Sequence, residues 1–165
     1  MTEGTRTLLV GSHSIIHSFL VVKAWKIIYG NYPKFWQLIC IFIHDIGYWG
    51  TNYHTDKSNN GHAELGARIA RRLFGKKGFE LVAGHSRSTA MKFNIPLSDL
   101  EAPDDYSWII APTWWLRLLK RLDHTSIDGL IWRDLVIKNW EENGMFNRGP
   151  AYDLYLKNIQ RFNDK

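Results

Sequence analysis

A chain of 165 residues suits one domain with a single substantial core. Its one cysteine, Cys40, excludes an internal disulfide framework, and its longest apolar stretch, the nine residues 35–43, is too short to span a bilayer. Net charge is +5, which favours polyanionic partners, but the basic residues are dispersed, with the densest runs at Arg68, Arg71, Arg72, Lys76 and Lys77 and at Arg117, Lys120 and Arg121.

Residues 1–11 lack the basic-then-apolar pattern of a signal peptide, so a soluble cytoplasmic protein is expected. Apolar residues then recur with helical period almost throughout. Ser12 or Ser14 caps a first helix running to about Tyr29, with His13 and His17 on its inward stripe, and Gly30-Asn31-Tyr32-Pro33 breaks it. A second helix is expected over Lys34–Gly47, followed by a polar connection from Gly50 to Gly61. Asn59 or Asn60 caps a helix from His62 to Phe74 that Gly75 ends, and a short helix spans about Lys77–Arg87. Later helices are expected near Leu97–Ile110, Trp114–Leu122, Leu130–Glu141 and Tyr152–Phe162. No strand alternation or repeat is visible. The class is all-α, a single domain with a motif-bearing core at about 12–125 and C-terminal helices at about 129–163.

The chemistry concentrates in an ordered set: His17, the pair His44-Asp45, His62, His85 and then Asp104. Burying several imidazoles without partners costs a few kcal/mol, since each ring carries a donor and an acceptor. A metal ion satisfies them together. Imidazole with carboxylate suits Mn, Fe, Zn, Co or Ni better than Ca or Mg. Asp123 competes with Asp104 for the last place, because both stand in an Asp-x-x-Ser setting; Leu100-x-x-x-Asp104 favours the earlier one. Asp105 reads as a surface charge, His124 as a surface histidine, His54 as a solvated loop residue, and His13 equally as a substrate contact or a core histidine.

His17-Ser18-Phe19-Leu20-Val21, His44-Asp45-Ile46-Gly47, His62-Ala63-Glu64-Leu65-Gly66-Ala67-Arg68-Ile69-Ala70, Gly84-His85-Ser86 and Leu100-Glu101-Ala102-Pro103-Asp104 together resemble the ordered motifs of the HD-domain superfamily. The resemblance covers about residues 12–110. It implies a helical bundle around a buried metal site that hydrolyses phosphate esters or nucleotides. It also implies one or two divalent transition-metal ions, the first on His17, His44, Asp45 and Asp104, the second on Asp45, His62 and His85. Two departures stand out. Tyr48 occupies the position where many two-ion members carry Lys, and Ser86 the position where some carry a second histidine. Phosphate grip then falls to Arg87 or Lys57. Asp45 and Arg87 are the candidate catalytic residues, and a small phosphorylated substrate, in particular a nucleotide, is the expected partner. Two alternatives stand beside it: a di-iron oxygenase of the same type, and a metal-stabilised nucleotide- or nucleic-acid-binding protein using Trp114-Trp115 with Arg117, Lys120 and Arg121.

Overall fold

The computed structural model describes residues 1–52, 61–123 and 129–142. Among them are eight α-helices and no strand, as the period of the sequence predicts. His54, Lys57, His124, most of the polar connection and the expected Tyr152–Phe162 helix lie outside the described residues.

Helix α1 (Glu3–Leu9) was not expected from the sequence. Thr2 caps it by accepting from the Thr5 amide, and it is held down by Gly4 N–H donating to Thr51 O at 3.0 Å and Gly50 N–H donating to Thr5 Oγ1 at 2.9 Å. These partners lie over forty residues away, so seven residues become helical through tertiary contacts rather than propensity. Helix α2 (Ile15–Tyr29) starts at Ser14 and ends, as expected, at Gly30 in the left-handed region. Helix α3 (Phe35–Ile43) is shorter than the expected Lys34–Gly47. It stops at His44, and a 3-10 turn (Ile46–Tyr48) carries the chain on.

Helix α4 (His62–Ala83) is interrupted at Gly75, whose φ of 68° and ψ of −151° break the helix where the sequence predicts. Helix α5 (Arg87–Phe93) corrects the sequence reading. Arg87 opens this helix instead of closing the one before it, because the Ser86 side chain accepts from the Thr89 amide and caps it. Helices α6 (Glu101–Ile109), α7 (Thr113–Leu122) and α8 (Gly129–Glu142) follow.

Helix α2 packs on α6, α3 on α4, and α6 and α7 on α8. Val21, Trp25, Ile41, Ala70, Val82 and Leu100 form the central core between α2, α3, α4 and the start of α6. Tyr106 and Trp140 anchor a second cluster under α8. Two glycines set the closest approach. A Cβ on Gly47 would lie 1.7 Å from His62 O, and one on Gly66 would lie 2.3 Å from Ile43 O. The start of α4 therefore meets the end of α3 and the 3-10 turn after it backbone to backbone, Gly66 admitting the Ile43 carbonyl and Gly47 of the turn admitting that of His62. No helix among the described residues is long and apolar enough to cross a membrane.

Candidate metal centre

His17, His44, Asp45, His62 and His85 are all buried, and with Asp104 they converge on one point between α2, α3, α4 and α6. The way each ring is held follows from local structure. A helix end leaves carbonyls without intrahelical partners. At the end of α3, His44 Nδ1–H donates back to Ile41 O at 2.5 Å. At the end of α4, His85 Nδ1–H donates to Val82 O at 2.5 Å. Both contacts commit Nδ1 and leave Nε2 facing inward, free to offer its lone pair once any proton there is lost, the arrangement typical of metal-bound imidazole. His17 reaches the same state by another route. The Ser107 hydroxyl gives its proton to Asp104 O at 2.6 Å, so it accepts from His17 Nδ1–H at 3.2 Å. The Asp-x-x-Ser spacing places Asp104 and Ser107 on one face of α6, a signal present in the sequence but not read as an orienting contact.

The inward atoms fall into two adjacent sets. In the first, His17 Nε2 lies 2.9 Å from Asp104 Oδ1 and 3.5 Å from Asp45 Oδ2. His44 Nε2 lies 3.1 Å from Asp45 Oδ2 and 3.3 Å from Asp104 Oδ1. In the second, Asp45 Oδ1 is 3.8 Å from both His62 Nε2 and His85 Nε2, which are 3.2 Å from each other. Ligands at 2.0–2.2 Å around one ion stand roughly 3 to 3.6 Å apart. The first set has that spacing, and the second is slightly wider. His44 Nε2 and Asp104 Oδ1 are buried and make no hydrogen bond. Two buried atoms without a hydrogen-bond partner, each able to offer a lone pair to the same gap, fit a cation between them. Buried His/Asp groups of this protein could therefore hold a metal ion.

The electrostatics agree. Burial acts to lower the His44 pKa, but Asp45 and Asp104 outweigh it and hold the imidazole well above its ordinary range. Burial acts to raise Asp45, but His44 and His13 outweigh it and hold the carboxyl well below the usual range. Asp104 is likewise lowered against its burial by His17 and His44. His85 is pushed down to about 4 by burial and by the neighbouring His44 charge. The centre thus offers anionic carboxylates and a bare His85 nitrogen, and a metal entering it displaces protons from His44.

Three residues lie elsewhere than expected. Asp105 is half-buried instead of a surface charge. It accepts from Trp140 Nε1 at 3.4 Å, and burial, with Asp104 and Glu101 beside it, pushes it up to about 7. Asp123 is buried away from the two donor sets, where both its oxygens accept from the Ser12 amide, at 3.0 and 3.2 Å. Arg87 does not enter the cluster. Its exposed guanidinium donates twice to Glu101 Oε1, at 3.1 and 3.0 Å. His13 sits before α2 rather than on it, with Nδ1 3.0 Å from Asp45 Oδ2.

These placements separate the two aspartates experimentally. Asp104→Asn is expected to weaken metal binding by about tenfold or more, and Asp123→Asn to leave it within about threefold. Asp123→Ala, which strips the buried Ser12 amide of its acceptor, is expected to cost about 1–3 kcal/mol of stability. Equilibrium dialysis with Mn(II) and thermal melts check the two halves, and the reverse order in dialysis would move the centre to the end of α7.

No family model, no curated protein and no solved structure matches this chain.

Proposed function

We propose that the protein is a metal-dependent phosphohydrolase acting on a nucleotide or other small phosphate ester. The observation that carries this reading is the sharing of Asp45. Its Oδ2 faces the His17, His44 and Asp104 set, and its Oδ1 faces His62 and His85. In this reading His17, His44, Asp45 and Asp104 hold one divalent ion, and Asp45, His62 and His85 a second. Ions so held supply Lewis acidity toward a phosphoryl oxygen and bring bound water within reach of ionisation near neutral pH. The donor set, rich in imidazole, suits Mn, Fe, Zn, Co or Ni.

The chain's own residues supply the rest. Buried imidazoles wall the inner side of the site and exclude bulk water. Asp104 and His13, with 22% and 15% of their side chains exposed, mark the side open to a substrate. Arg87 stands at the rim, one turn of α6 from Asp104 through its partner Glu101. Arg87→Ala is expected to raise KM for a phosphorylated substrate about 3- to 10-fold with little change in kcat, a small effect because the guanidinium is exposed and already paired. Glu101→Gln, which frees Arg87, is expected to lower KM. Steady-state kinetics decides both, and an unchanged KM in the two variants would leave the pair a surface contact.

Metal analysis of the purified protein, followed by phosphate release from a nucleotide panel with Mn, Co, Ni, Zn, Mg and Fe, tests the proposal. Release dependent on one of these metals supports it, and inactivity with all of them overturns it. The same carboxylate-bridged donors also fit two irons, so oxygen consumption with iron-loaded protein is the outcome that would favour a di-iron oxygenase. The nucleic-acid reading has lost its stacking pair, since Trp115 is buried and only Trp114 is exposed.

A further inference from the structure

We infer that His13 is a positioning residue for Asp45, and that Tyr48 is the plate that holds it there. The inference rests on the metal-centre reading of Asp45. Of the histidines around this carboxylate, His13 is distinguished by geometry. His17 and His44 approach Asp45 Oδ2 at 3.5 and 3.1 Å with Nε2 atoms that face the gap, because their Nδ1–H groups are taken by Ser107 and Ile41. His13 instead presents Nδ1 to Oδ2 at 3.0 Å with hydrogen-bonding geometry. A carboxylate oxygen only accepts, so at this contact His13 Nδ1–H donates to Asp45 Oδ2.

The ring behind that bond is fixed on its face. It stacks on Tyr48, with centroids 4.2 Å apart and planes 14° from parallel, and Tyr48 stacks in turn on His62 at 5.0 Å and 14°. His13, Tyr48 and His62 form one column, anchored at the His13 end by its backbone amide donating to Thr7 O at 3.1 Å. The column ties the oxygen facing the first donor set to a ligand of the second. A side chain other than an aromatic ring at position 48 would not provide this plate.

Cobalt(II) titration of the full chain, read by d–d absorption and calorimetry, tests the inference with His13→Ala, His13→Asn and His13→Gln. The Asn amide places an N–H where Nδ1–H stands, and the Gln amide reaches past it. His13→Ala is expected to keep the cobalt stoichiometry of the parent, to weaken binding about 10- to 100-fold and to shift the absorption bands. His13→Asn is expected to restore affinity to within about threefold of the parent, and His13→Gln to behave like the alanine variant. The Asn–Gln difference decides the matter even if the alanine variant does not fold. Parent-like affinity and spectrum in His13→Gln would overturn the positioning role. So would loss of one whole equivalent of cobalt in both His13→Asn and His13→Gln, which would make His13 a ligand. A parent protein that binds no cobalt would overturn the metal-centre reading itself, separately from the role of His13.

Discussion

Metal-loaded protein is expected to melt well above metal-free protein, and His44→Ala or Asp45→Ala to erase that difference together with activity. An ion at one hundred times its dissociation constant adds about 2.7 kcal/mol to the folded state, which for a domain of this size is roughly 5–10 °C. Asp45 is the side chain on which the cluster depends most, since His13, His17, His44, His62 and His85 all place a nitrogen within 3.8 Å of one of its oxygens. Removing an outer-shell partner of a metal costs about 10- to 100-fold, so removing this shared carboxylate is expected to cost more than about 100-fold in activity. The metal-free Asp45→Ala protein is expected to melt lower as well, because the positive charge that Asp45 and Asp104 sustain on His44 loses one of its two counter-ions in a buried place. Its helical circular dichroism at room temperature is expected to persist, since the cores around Val82 and Tyr106 are untouched. Differential scanning fluorimetry with and without Mn(II), and metal content by mass spectrometry, provide the check. A variant that keeps both its metal shift and its activity would end the metal-centre reading.

The second large effect belongs to a residue with no side chain. Gly47→Ala is expected to destabilise the protein by at least about 2 kcal/mol and to disturb His62 before any other donor. The new methyl group would meet the backbone oxygen of His62 at 1.7 Å and its carbonyl carbon at 2.6 Å, and backbone cannot swing aside as a side chain can. Gly50→Ala is the control, three residues further along the same stretch. Nothing lies within 4 Å of its Cβ position, and its φ of 78° costs only the left-handed penalty of about 1–2 kcal/mol. Chemical denaturation, with the binding stoichiometry of each variant, separates them. Equal destabilisation with unchanged stoichiometry would mean that the 3-10 turn and α4 part easily at this contact.

The residues of the cluster were legible as a set because their chemistry is unusual for buried positions, and the helices were legible because their apolar period is strong. Gly30 and Gly75 marked their breaks correctly, since a left-handed backbone is a local requirement that glycine announces. What escaped was decided by distant partners. Helix α1 depends on Thr51 and Gly50, the burial of Asp105 on Trp140 from α8, and the pairing that keeps Arg87 out of the cluster on Glu101; only the Ser86 cap before Arg87 is local. Helical spacing places His13 on the face of α2, one turn before His17. The turn that precedes Ser14 takes it off that face and aims it at Asp45. A local pattern carries no information about such pairings, because the partner lies 32 residues along the chain.

The bond from Ser12 to Asp123 has a meaning in time as well as in space. It joins residues 111 positions apart, and the turn it pins is the one that delivers His13 and His17. On a ribosome, His17, His44, Asp45, His62 and His85 all emerge before Asp104, and the anchor at Asp123 emerges later still. A chain that begins to fold during synthesis therefore carries an unfinished donor set until α6 is made and an unpinned Ser12 turn until the end of α7, and contacts between such distant positions form late. Any ion that uses both donor sets therefore binds after α6 has emerged, and it meets a pinned His13 turn only once Asp123 has followed.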